Sequence, residues 1–88
     1  MKTIQEYRLD SLNIAPQTLY LPKDAEVVGV YGCVDGINLI VVITPNNIET
    51  TLRTFKICAT LETLYIDSFK YIGSLRDDFG AQHIIEII

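Results

Sequence analysis

The sequence predicts a small all-β domain, and three observations carry that prediction. Ile, Val and Thr number 13, 6 and 8, and with Tyr and Phe they make up 35 of the 88 residues; these types suit a pleated, half-buried surface. Turn formers recur at short intervals, at Ala15-Pro16, Pro22-Lys23-Asp24, Asp35-Gly36, Pro45-Asn46-Asn47 and Asp77-Asp78-Phe79-Gly80. Between those clusters the apolar positions alternate with period two. The expected architecture is an antiparallel sheet, sandwich or partly open barrel of about six to seven strands. All of it fits one domain spanning 1–88.

Taken in chain order, each element has its own reason. Thr3, Gln5, Tyr7 and Leu9 alternate with Ile4, Glu6 and Arg8, a strand with one wet face. Gln17 to Leu21 sets Leu19 and Leu21 on one side and stops at Pro22. Asp35-Gly36 centres a hairpin, because Asp-Gly supplies the two positive-φ positions of a type I′ turn. That turn would pair Val34 with Ile37, Gly32 with Leu39, Val30 with Val41 and Val28 with Ile43. The other side of the hairpin (Cys33, Tyr31, Gly29 and Val27 against Asn38, Ile40, Val42 and Thr44) is also mostly apolar. The hairpin is therefore expected to be central and covered on both faces.

Thr51 to Thr60 alternates Arg53, Phe55, Ile57 and Ala59 against Thr54, Lys56, Cys58 and Thr60. Leu61, Leu64, Tyr65, Phe69 and Ile72 fall on helical spacing, so a short helix near 61–69 competes there with a loop. Phe69, Tyr71, Gly73 and Leu75 then alternate with Lys70, Ile72, Ser74 and Arg76. Ala81 to Ile88 forms the last strand. Ile84 and Ile88 point one way and Ile85 and Ile87 the other, so this strand needs cover on both sides. It is either a central strand of a sandwich or barrel, or a subunit interface. The second alternative makes the protein a homo-oligomer, most simply a dimer.

Composition removes several functions. A net charge of −4 and a pI near 4.7 give no general attraction to nucleic acid or anionic lipid. The longest nearly continuous apolar run, Ile37 to Ile43, is far too short for a membrane span. The opening residues, Met1 to Arg8, lack the apolar stretch of a secretory signal, so a cytoplasmic location with Cys33 and Cys58 as free thiols is expected. Those two cysteines and His83 lack the paired spacing of a zinc site. No nucleophile elbow surrounds Ser11, Ser68 or Ser74, and Asp77-Asp78 reads as turn chemistry, not as an acid/base dyad. The glycines from Gly29 to Gly36 precede a strand where a phosphate loop needs a helix N-terminus. An enzyme, a metal and a cofactor are not expected.

One charge pattern stands out in this acidic chain. From Arg53 to Arg76 the bases Arg53, Lys56, Lys70 and Arg76 outnumber the acids Glu62 and Asp67. Lys70, Ser74 and Arg76 share the parity of one strand, and Lys56 lies with Thr54 and Cys58 on another. Neighbouring strands would gather these groups into a surface for a phosphorylated ligand; otherwise they are solubilising charge on a wet face.

Several motifs also resemble a known group. Met1-Lys2-Thr3-Ile4 followed by Tyr7, then Leu21-Pro22-x-x-Ala25-Glu26-Val27, Arg53-Thr54-Phe55-Lys56-Ile57, Tyr71-Ile72-Gly73-Ser74 and His83-x-x-Glu86 resemble a family of short phage and prophage proteins of unknown function. Members of that family tend to carry Gly-Thr-Gly where this chain has Cys58-Ala59-Thr60. The resemblance implies a phage-encoded accessory protein in a bacterial cytoplasm and brings no catalytic residues. Together with the residues it leads to a non-enzymatic protein that binds a host protein, for example to inhibit a defence or host process. An oligomeric binder sequestering a nucleotide-type signalling molecule is the alternative, and a minor virion component a weaker one.

Overall fold

The computed structural model describes the backbone at positions 1–33, 36–46, 48–77 and 80–88. Seven strands follow one another: β1 (Thr3–Leu9), β2 (Gln17–Pro22), β3 (Glu26–Cys33), β4 (Gly36–Ile43), β5 (Thr50–Ala59), β6 (Phe69–Asp77) and β7 (Gly80–Ile87). They form two antiparallel sheets, three-stranded in the order β1-β4-β3 and four-stranded in the order β2-β5-β7-β6. The sheets pack as an open sandwich and do not close into a barrel. Among the described residues there is no helix: 60–68 is an irregular connection.

Period-two alternation dictates the core. Leu9, Val27, Ile37, Leu39, Val41 and Ile43 from the first sheet meet Leu21, Phe55, Ile57 and Ile84 from the second, and all are buried. Removing a side chain such as Phe55 from water contributes about 1.5–3 kcal/mol.

The β3–β4 hairpin differs from the expected one by a slip of two residues. Ile37 pairs with Gly32 instead of Val34, and Leu39 with Val30 instead of Gly32. Gly36 is thus a ladder residue opposite Cys33, while Val34 and Asp35 lie outside the described residues, as do Asp78 and Phe79 of the expected Asp77-Asp78-Phe79-Gly80 turn. Gly36 owes its identity to a close approach: a Cβ there would stand 2.8 Å from the Leu9 carbonyl oxygen. A bulge between Val27 and Gly29 then turns Val27 into the core and Val28 out to solvent. The hairpin is also less central than its composition suggests. β4 lies in the middle of its sheet, but β3 is an outer strand running beside β6.

Sheet order settles what covers the last strand. β7 is hydrogen-bonded to β5 on one side and β6 on the other. Ile84 is buried in the core and Ile85 on the opposite face, within this one chain; Ile87 is half-buried and Ile88 exposed. The two-sided apolar pattern is accounted for without a subunit contact at β7.

Cover for Ile85 comes from the connection between β5 and β6. These two strands run in the same direction with β7 between them, so the chain must travel back along the sheet before β6 begins. The segment 60–68 makes that return as a strap over the outer face, and its alternation is that of an extended chain. Leu64 and Ile66 are half-buried while Thr63, Tyr65 and Asp67 are exposed. Leu61 and Tyr65, two members of the helical stripe, point into solvent.

Candidate functional site

The strap is fastened at three places, and the residues that fasten it organise one surface of the molecule. At its start, Thr60 Oγ1 lies 2.8 Å from His83 Nε2, and Tyr71 Oη lies 2.8 Å from His83 Nδ1. His83 thereby ties the strap to β7 and β6. At its end, the Ile88 amide donates to the Ser68 carbonyl at 3.1 Å. Between them, Lys56 Nζ on β5 reaches Glu62 Oε2 at 2.8 Å.

Lys56 does more than hold the strap. Its ammonium also donates to the Ile14 carbonyl at 3.1 Å, joining the β1–β2 loop to the β5–β6 strap. Only 16% of the Lys56 side chain is exposed, unusual for a lysine. The Lys56 hydrogen bond and, after it, the Ala59 amide hold the Glu62 carboxyl below the ordinary carboxylate range. The same burial pushes the neighbouring Cys58 thiol up, so that it is a poor nucleophile in spite of facing His83 across the ladder.

The two joined loops display four apolar side chains that the fold does not use. Leu12 is 90% exposed, Ile14 75%, Leu61 97% and Tyr65 95%. Leu61 is the most telling. The Glu62 amide donates to the Ala59 carbonyl at 3.2 Å, closing a turn whose third residue, Leu61, has φ 69°. Glycine or asparagine is favoured at such a position, and a branched side chain there costs about 1–2 kcal/mol.

The cationic residues do not converge. Arg53 turns inward, where Nε and Nη2 hold the two Glu86 carboxylate oxygens at 2.6 and 2.7 Å and Nη1 donates to the Ala25 carbonyl at 2.6 Å. The Glu86 hydrogen bond raises the Arg53 pKa further, against the opposing effect of burial. β7 separates β5 from β6, so Lys56 is not beside the β6 cations. A bulge between Tyr71 and Gly73 breaks the parity of β6. Lys70 pairs with Glu86, whereas Ser74 pairs with His83 and Arg76 with Ala81, which puts Lys70 on the opposite face. Only Ser74 and Arg76 remain together in solvent. Ile84 and Ile85 belong to the interior of the chain, with Ile87 beside them and Ile88 at the exposed end.

Among the described residues, no group of three His, Cys, Asp or Glu side chains could hold a metal ion. No helix among them is long and apolar enough to cross a membrane. Sequence reasoning missed the paired loops. The signal was there in Leu12, Ile14, Leu61 and Tyr65, large apolar residues in segments that have no strand to bury them. No family model, curated protein or solved structure matches the chain.

Proposed function

We propose that this is a non-enzymatic binding protein whose contact surface is the pair of loops joined by Lys56, with Leu12, Ile14, Leu61 and Tyr65 as its anchors. Leu61 carries the reading: a strained, almost fully exposed leucine where glycine would serve the fold better. Strain that the fold does not reward points to a use outside it. Loops held by a rigid scaffold are the usual site of recognition, and fastening them beforehand lowers the ordering cost of binding. Following the resemblance of its motifs, the partner is a protein of a bacterial host and the chain is a phage-encoded accessory protein in the bacterial cytoplasm. Blocking a defence or host process is the corresponding role. The dispersed cations favour a protein partner over a nucleotide-type ligand.

The test uses Leu61→Gly. This variant should fold at least as stably as the parent, because glycine relieves the positive φ. In native affinity purification from bacterial lysate it should lose a protein partner that the parent retains, as should Tyr65→Ser. A partner retained by both variants overturns the surface. A nucleotide that co-purifies equally with parent and variants favours the small-ligand alternative.

A further inference from the structure

The strap from 60 to 68 lies over the β2-β5-β7-β6 sheet without belonging to it. Its backbone is tied near its two ends: the Glu62 amide donates to the Ala59 carbonyl, and the Ser68 carbonyl accepts from the Ile88 amide. Among the described residues, 63–67 make no backbone–backbone hydrogen bond. Two of its apolar side chains, Leu64 and Ile66, are half-buried, and the rest of the segment is exposed. Beneath it the sandwich is complete. β7 is laddered to β5 and to β6, and the core between the sheets takes no residue from 60–68. A segment with few buried contacts and few backbone hydrogen bonds opens at a lower cost than the fold around it.

We infer that the strap is a lid: it lifts from the outer face as a unit while both sheets stay folded, and its lifting unmasks Cys58 and Ile85. Those side chains are 4% and 2% exposed, yet neither belongs to the core between the sheets. Cys58 pairs with His83 across the ladder, and Ile85 with Lys56, so the latch stands beside what it covers. Side chains make that latch. One Glu62 carboxylate oxygen accepts from Lys56 Nζ at 2.8 Å and the other from the Ala59 amide at 3.2 Å, while Thr60 Oγ1 lies 2.8 Å from His83 Nε2. The partners left behind are not orphaned when the lid lifts. Lys56 keeps the Ile14 carbonyl and His83 keeps Tyr71, and water replaces the lost contacts. The usual penalty for a buried unsatisfied group therefore does not oppose opening.

Leu61 biases the lid toward the lifted state. Its φ of 69° is imposed by the closed turn, and the strain disappears once the turn opens. The latch holds the strap down against that bias. Asparagine at this position tolerates the left-handed region and would keep the lid closed. The lid does not depend on the binding surface proposed above. That reading concerns the side chains the closed strap turns outward, whereas the lid concerns what lies under it.

Reaction of Cys58 with a thiol reagent tests the inference, in a Cys33→Ser chain that leaves Cys58 as its single thiol, beside urea denaturation of the same chain. Labelling should be slower than that of a free thiol, yet at least about a hundredfold faster than global unfolding allows. Up to about 2 M urea the rate should change less than about twofold, because lifting the lid exposes little surface. Glu62→Ala and Thr60→Val should each speed labelling about fivefold, and Leu61→Asn should slow it about threefold. Ile57→Val, on the core side of the same strand, should lower global stability and leave the labelling rate unchanged. A rate that follows global unfolding through the urea series, or that Ile57→Val raises in step with the lost stability, overturns the lid. A Cys58 as reactive as a free thiol overturns the closed strap as its cover. Glu62→Ala and Thr60→Val chains that label like the parent overturn the latch, and a Leu61→Asn chain no slower than the parent overturns the bias.

Discussion

The two outer faces of the sandwich have similar sequences and opposite fates. On the β2-β5-β7-β6 sheet, Cys58 and Ile85 are almost completely buried although neither belongs to the core between the sheets. The chain's own strap lies over them. On the β1-β4-β3 sheet, Ile4, Val28, Ile40 and Val42 occupy equivalent outward positions, and Ile4 and Val28 are open to water. An apolar outward row therefore does not by itself say whether the chain will cover that face. The difference is supplied by connectivity. β5 and β6 run the same way and need a long return, whereas β3 and β4 are joined by a short one that leaves nothing to spare as a cover.

The largest expected effect tests the covered face. Ile85→Ala removes a side chain packed beneath the strap and should destabilise the fold by about 2–5 kcal/mol, read as a lowered denaturation midpoint with unchanged slope. A loss as small as that of an exposed position would mean that the strap is not packed on it.

The fastening of the strap gives a smaller, pH-dependent effect. Glu62 titrates lower in the folded chain than an ordinary carboxyl, because Lys56 and the Ala59 amide hold its charged form. The unfolded chain thus takes up this proton first as the pH falls. The contribution is fully present above the ordinary carboxylate range, about pH 4.3, and is lost as the pH drops through the folded value. Glu62→Gln should remove that part of the acid sensitivity and cost no more than about 1 kcal/mol at neutral pH. Thermal melts of parent and variant across pH 3–7, the range in which carboxyls titrate, check both; parallel curves would show that the ion pair does not fasten the strap.

The smallest effect belongs to the open face. Ile4→Ser should leave the stability of the fold within about 0.5 kcal/mol of the parent, measured by urea denaturation. A larger loss would show that Ile4 is packed within its own chain.

Much of this fold was legible because strand content is a local property. Thr3–Leu9 is recovered as expected, and the other strands agree to within a residue or two. What was not legible depends on which strands become neighbours. The bulges at Val28 and Ile72 reverse the parity of everything beyond them, so Lys70 left the face it seemed to share with Ser74 and Arg76. The helical stripe from Leu61 was misleading because Leu61 and Tyr65 are apolar for no reason internal to the fold. The candidate site was accordingly the least legible part. It consists of two loops distant in sequence, brought together by one lysine whose role becomes visible only once β2 is paired with β5.

The seam between the sheets has a consequence for how the chain reaches this structure. Where β3 passes β6, Gly73 leaves room for Val30, whose Cγ2 would stand 3.1 Å from a Cβ on that glycine, and Gly32 faces Leu75. The strands meeting there belong to β3–β4 and β6–β7, pairs joined by the shortest connections in the fold. Such hairpins form in about 1–10 μs in isolation. The pairings of β1 with β4 and β5 with β7 must close long stretches of chain and are entropically slower. The glycine-lined seam is therefore a docking site between two early hairpins. Bulk at Gly73 would delay their encounter, making that position one where sequence governs the speed of folding as well as the depth of the native well.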